Sequence, residues 1–180
     1  MNGRPTQQRV FGVTGWKNSG KTGLTERVVA ELTRRGYRIS TIKHAHHEFD
    51  IDKEGTDSHR HRMAGAGEVA IVSGRRWALM HELRDEAEPP LAAILERLAP
   101  CDLVVIEGYK REDHPKIEAR RLDAASRVPL AAGDPGIVAI AADHEVTDSA
   151  LPVFDLDDTD AIVDFIERQT GLVGARRATG

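Results

Sequence analysis

The chain has 180 residues, with Lys+Arg 25 against Asp+Glu 29, a net charge of -4 and a pI near 6.1, so no global basic field favours nucleic acid as a partner. Its one cysteine, Cys101, excludes an intrachain disulfide and a multi-cysteine zinc cage, and a reducing, cytoplasmic setting is expected. Apolar runs such as Leu103-Val104-Val105-Ile106 fall far short of the roughly 20 residues that cross a bilayer, so no membrane span is expected.

Residues 1–8 lack an apolar run and 174–180 are small, basic and weakly patterned, so both are expected to be flexible ends of a single nucleotide-binding domain over 9–173. Arg9-Val10-Phe11-Gly12-Val13-Thr14 is β-branched and apolar and runs into a glycine-bounded loop, which predicts a buried strand. From Thr22, Leu24, Val28, Val29 and Leu32 recur at helical spacing, and Gly36 stands where a helix stop belongs. Residues 37–43 read as a second strand, which completes a strand-helix-strand unit with parallel strands. A short helix is predicted over Asp57–Ala64, capped near Thr56 or Asp57, then a strand over 68–73 with residues 77–80 as its candidate hairpin partner. Pro89-Pro90 opens a helix carrying Leu91, Ile94, Leu95 and Leu98, and Pro100 ends it.

Residues 102–107 form the most apolar strand and are placed at the centre of the sheet, covered on both faces. Further strands are predicted at 116–119, 137–140 and 152–154, followed by a helix over 157–169. The pattern defines an α/β fold: a mainly parallel twisted sheet with helices on both faces, of P-loop type, with a small β-hairpin extension.

Gly15-Trp16-Lys17-Asn18-Ser19-Gly20-Lys21-Thr22 fits G-x-x-x-x-G-K-[ST] at every fixed position, between a strand and a helix. A triphosphate needs converging N–H donors, and a loop whose glycines let the backbone curl around the anion supplies them at a helix N-terminus. In this reading Lys21 reaches the β- and γ-phosphates and the Thr22 hydroxyl joins a Mg²⁺ shell. Glu107 ends the apolar strand where phosphoryl chemistry wants a carboxylate, to hold metal directly or through water, or to orient an attacking water. The alternative for Glu107 is a solvated strand-end acid. Asp102 lies at the wrong end of that strand, because open α/β sheets bind ligands at strand C-termini.

Three more stretches carry a family resemblance: Lys43-His44-Ala45-His46-His47-Glu48-Phe49-Asp50-Ile51-Asp52; Gly55 to Ala66; and Ile106-Glu107-Gly108-Tyr109-Lys110 followed by Pro115-Lys116-Ile117-Glu118. With the phosphate loop, they resemble the MobB family, molybdopterin-guanine dinucleotide biosynthesis protein B, over roughly residues 9 to 145. The resemblance implies a homodimeric GTP-binding accessory protein with weak Mg-dependent hydrolysis, assisting the guanylyltransferase that joins GMP to molybdopterin. Molybdopterin or its guanine dinucleotide is the implied pathway partner. Thr56 stands where the family usually has a lysine, which removes any anion contact made there.

By their own chemistry, Lys43 and His44 leave the second strand near the phosphate loop, where they could meet phosphate oxygens. Asp50 and Asp52 follow on a loop that could close over a triphosphate, Asp50 near the metal and Asp52 in the chemistry. Arg60, His61 and Arg62, and likewise Lys110 and Lys116, are candidates for an anionic pterin phosphate or a second subunit, or are solvated faces. Trp77 reads as packing or a dimer contact. Asp143, after the strand at 137–141, could accept hydrogen bonds from guanine N1 and N2; the Asn-Lys-x-Asp base signature is absent, and GTP over ATP rests on the resemblance.

Two rivals share these residues. A small-metabolite kinase would use the same loop and Mg²⁺ with a lid arginine from Arg75 and Arg76 or Arg120 and Arg121. A metal-insertion GTPase would use His44, His46 and His47 as ligands, although it would ordinarily add cysteines.

Overall fold

The computed structural model describes residues 8–45 and 49–172, and the chain divides into two compact units, Met1–His44 with Leu95–Gly180, and Ala45–Ile94. In the first unit the buried segment ahead of the glycine loop is β1 (Val10–Thr14), followed by α1 (Lys21–Arg34) and β2 (Ile39–Lys43). Gly36 adopts φ +91 after the last turn of α1, a left-handed conformation that β-carbon-bearing residues resist. Downstream come β5 (Leu103–Glu107), β6 (Lys116–Arg120), β7 (Ile137–Ala142), β8 (Val153–Asp155) and α4 (Thr159–Thr170).

These strands form a six-stranded sheet in the order β2-β5-β1-β6-β7-β8, and every pairing is parallel. All residues of β5 are buried, as its apolar run requires, yet it lies one place in from the β2 edge rather than at mid-sheet. It separates β1 from β2, so the first strand-helix-strand unit is parallel but its strands do not touch. The chain builds outward from β1 in both directions, which makes the crevice beside β1 a switch point where such sheets hold ligands.

Phe11, Val13, Leu103, Val105 and Ile117 project from one face onto Leu24, Val28 and Leu32 of α1 and Ile162 and Ile166 of α4, all buried in one core. Each such side chain contributes about 1.5–3 kcal/mol on burial. Arg35 ties the two helices together, bonding Glu31 at 2.7 Å and Glu167 at 2.8 Å.

Over β1 and β6 the opposite face is covered by loops. A β-carbon on Gly12 would stand 2.5 Å from His114 Nε2 and 2.8 Å from Lys116 Cβ, so glycine is what lets that loop close on β1. Lys116, a candidate anion contact by sequence, is instead fully buried, its ammonium donating to Asp134 Oδ2 at 2.9 Å and to the Glu112 carbonyl. Glu118 accepts from the backbone N–H groups of Leu130 and Ala131 at 2.9 and 3.1 Å. Buried charges must be paired to be tolerated, and these pairs pin the β6–β7 connection.

The second unit contains α2 (Asp57–Met63) and the antiparallel hairpin of β3 (Glu68–Val72) and β4 (Trp77–His81), while α3 (Leu91–Arg97) runs across the boundary in sequence. Thr56 is the N-cap residue of α2, with its hydroxyl donating to the Lys53 carbonyl at 2.7 Å. Arg62 bonds Asp50 at 2.9 Å, Asp52 at 2.7 Å and Glu82 at 3.0 Å, so it is a structural tie rather than a free surface cation. Trp77 is exposed on the hairpin.

Candidate phosphate and nucleoside site

The glycine-rich loop joins β1 to α1 at the C-terminal end of the sheet, beside the switch point. Gly15 has φ +151, and a β-carbon there would stand 2.3 Å from Ser19 Oγ and 2.6 Å from the Ala119 carbonyl oxygen. Asn18 at φ 64 and Gly20 at φ 87 turn the backbone back on itself. Alternation of this kind gathers N–H groups into an anion-binding concavity. Gly20 is the N-cap of α1, no side chain caps that end, and no acid stands in its first turn. The N–H groups and dipole of a 14-residue helix are therefore left for an anion. Lys17 and Asn18 are exposed, whereas Gly15 and Ser19 are buried.

Lys21 Nζ donates to the Trp16 carbonyl at 2.7 Å. Burial lowers its pKa below the ordinary 10.5; Glu107 opposes that shift, and Lys110 and Lys43 add to it. Thr22 Oγ1 donates to Glu107 Oε1 at 3.0 Å, and Lys43 Nζ stands 3.6 Å from the same oxygen. The register explains this convergence: Glu107 is opposite Val13 on one side and Lys43 on the other. His44 follows, its N–H donating to the Glu107 carbonyl at 2.9 Å.

Ala125, Val128, His144 and Asp148, which the sequence does not single out, complete the surroundings. Trp16 Nε1 donates to the Val128 carbonyl at 2.7 Å, and Ala125 N–H to the Lys17 carbonyl at 2.8 Å, so the β6–β7 connection is fastened to the loop. Between them lies a cleft of about 220 Å³ lined by residues that include Trp16, Ser19, Arg120, Arg121, His144 and Asp148. Arg120 is held by Glu118 and Asp148, each at 2.8 Å, at the end of β6. Arg75 and Arg76 lie in the hairpin turn, so neither arginine pair occupies a lid helix.

Asp143 directly follows β7, but its Oδ1 already accepts from Leu122 N–H at 3.1 Å and contacts His144 Nδ1 at 2.8 Å. Burial works against its ionisation, yet these bonds hold its carboxyl below the usual range. His144 lines the cleft in its place. Asp50 and Asp52 belong to the second unit and are engaged by Arg62, which holds the Asp52 carboxyl below its ordinary pKa. His46 and His47 lie outside the described residues, and no group of three or more His, Cys, Asp or Glu suited to a metal occurs among the described residues. No helix among them is long and apolar enough to cross a membrane.

A wholly parallel sheet with a glycine-rich loop leading into an uncapped helix defines the P-loop class of α/β proteins. The family profile described as MobB, molybdopterin guanine dinucleotide synthesis protein B, matches residues 10–143, and the chain belongs to that family. It is 38% identical over 154 residues to a molybdopterin-guanine dinucleotide biosynthesis adapter protein of Escherichia coli (strain K12), spanning 84% of this chain and 87% of the relative. A protein of the same description from Haemophilus influenzae is 37% identical over 164 residues, covering 88% of this chain and 87% of its own. The crystal structure of a MobB homolog from Bacillus stearothermophilus superposes with a TM-score of 0.69 at 29% identity, covering 92% of this chain and 99% of that one.

Proposed function

We propose that the chain is an adapter in molybdopterin guanine dinucleotide biosynthesis that binds Mg-GTP, hydrolyses it slowly and assists the guanylyltransferase of that pathway, acting as a homodimer. The observation that carries the nucleotide reading is the meeting of Thr22 Oγ1 and Glu107 Oε1 at 3.0 Å, immediately beside an uncapped helix N-terminus. A hydroxyl and a carboxylate at that spacing are the hard oxygen donors Mg²⁺ prefers, so the residues present fit the ion. Bound there by Thr22 and, directly or through water, by Glu107, Mg²⁺ would neutralise charge on the phosphate oxygens.

The loop N–H groups and Lys21 hold the phosphates, with Lys43 and His44 beside them. The cleft between Trp16 and His144 receives the nucleoside. At about 220 Å³ it is smaller than the roughly 300–1,000 Å³ of drug-sized sites. Asp143 reaches the base through His144 or after exchanging its present partners. Asp50 and Asp52 are already committed to Arg62, so the reading relies on Thr22 and Glu107.

Competition of GTP against ATP, with and without Mg²⁺, tests the proposal by calorimetry on the full chain. GTP should bind in preference to ATP and more tightly with Mg²⁺. If neither nucleotide binds, the nucleotide reading fails, and equal affinity for both sinks the guanine assignment. Rapid, acceptor-dependent conversion of triphosphate to diphosphate would favour a small-metabolite kinase instead.

A further inference from the structure

Lys110 lies just beyond the strand that carries Glu107, in a turn of unusual backbone. Gly108 has φ 96 and Tyr109 has φ 48, a left-handed conformation that a bulky side chain adopts only where its surroundings impose it. The surroundings are visible. The Tyr109 ring lies 4.5 Å from the His44 ring, and a β-carbon on Gly108 would stand 3.1 Å from His44 Cβ. The turn is thereby set against the end of β2, and it returns the chain toward the phosphate loop. As a result Lys110 Nζ sits 4.2 Å from the centre of the Trp16 ring, and the carbonyl of that same Trp16 holds Lys21 Nζ at 2.7 Å.

An ammonium on an aromatic face is weakly held compared with one hydrogen-bonded to an anionic oxygen. Lys43, the other lysine beside Lys21, is already close to Glu107 at 3.6 Å. We propose that Lys110 is a phosphate-binding cation that rests on Trp16 and transfers to the terminal phosphate of a triphosphate held by Gly15–Thr22. The inference rests on the nucleotide reading above. It gives the site a means of telling triphosphate from diphosphate, because the extra charge of the terminal group is what draws the lysine from the ring. Lys21, Lys43 and Lys110 already share one electrostatic environment, as the effect of both neighbours on Lys21 shows.

The test is calorimetric binding of Mg-GTP and Mg-GDP, with Mg-ATP and Mg-ADP in parallel, to the full-length parent, Lys110→Met and Lys110→Arg. Lys110→Met should weaken triphosphate binding roughly tenfold, 1.4 kcal/mol, and leave diphosphate binding within about twofold. Lys110→Arg, which keeps the charge, should recover most of the loss, and unchanged far-ultraviolet circular dichroism would exclude misfolding. If Lys110→Met keeps the parent's ratio of triphosphate to diphosphate affinity, this inference fails while the nucleotide site stands. If the parent binds no nucleotide, both fail together.

Discussion

Thr22 and Glu107, 85 residues apart in sequence, meet through a hydroxyl–carboxylate hydrogen bond of 3.0 Å. One residue lies in the first turn of α1 and the other closes β5, and they come together because β5 pairs directly with β1. The pairing puts an acid beside the helix end that the glycine-rich loop leaves uncapped.

Replacing Glu107 by glutamine keeps an oxygen that can accept from Thr22, so the fold and nucleotide binding should persist. Turnover of triphosphate should fall by about 10²-fold, the scale of a lost acid–base or water-orienting group. Phosphate release in a single-turnover assay checks this, and turnover equal to that of the parent would reduce Glu107 to a strand-end acid.

Lys21→Ala removes the ammonium from the proposed anion site and should weaken triphosphate affinity by roughly 100-fold. The side chain's own hydrogen bond is to the loop carbonyl of Trp16, so the melting temperature should barely move. Calorimetry and thermal melts on one preparation separate the two effects.

Gly15→Ala should destabilise the protein by about 2 kcal/mol or more, since the added carbon meets Ser19 Oγ at 2.3 Å and a backbone oxygen at 2.6 Å. Gly36→Ala is the control. Its φ of +91 imposes strain, but nothing lies within 4 Å of the added carbon, so about 1 kcal/mol is expected. Urea titrations should rank Gly15→Ala as the more damaging change.

His114 predicts a pH dependence. Burial, aided by Lys116, lowers its pKa from 6.5 to about 4, and neither ring nitrogen has a hydrogen-bond partner. The unfolded chain therefore binds a proton near pH 6.5 that the folded protein refuses until about 4. Stability should fall as pH drops through that window, by on the order of 1 kcal/mol once solvent screening of this partly exposed ring is allowed for, and be untouched by this residue above it. His114→Leu should flatten the profile between pH 4.5 and 7 in urea denaturation, and a slope identical to the parent's would remove the assignment.

Much of the fold was legible locally because local rules decide it. The loop pattern, the helical recurrence of Leu24, Val28 and Leu32, and the two short apolar runs of the hairpin each lie within a few residues of chain. The glycine-rich loop Gly15–Thr22 was legible for the same reason: a backbone that curls back on itself before a helix needs its glycines at fixed spacing. That Glu107 and Lys43 end their strands was legible because strand ends are predictable, and the register brings the two side chains to 3.6 Å.

Other features depended on which segments met. Strand order does not follow from strand content, so the insertion of β5 between β1 and β2 could not be read from residues that pair equally well elsewhere. Lys116 looked like a surface cation until Asp134 was folded over it, and Arg62 looked like part of a basic face until Asp50, Asp52 and Glu82 surrounded it. Trp16 and Lys110 come from separate loops, and their contact exists only because Gly108 and Tyr109 reverse the chain at the end of β5. The sequence by itself determined the glycine-rich loop ahead of α1, because its pattern is contiguous. Tertiary structure decided the partners of the charges and the walls of the cleft, because a side chain's electrostatic role is set by what lies within a few ångströms of it in space.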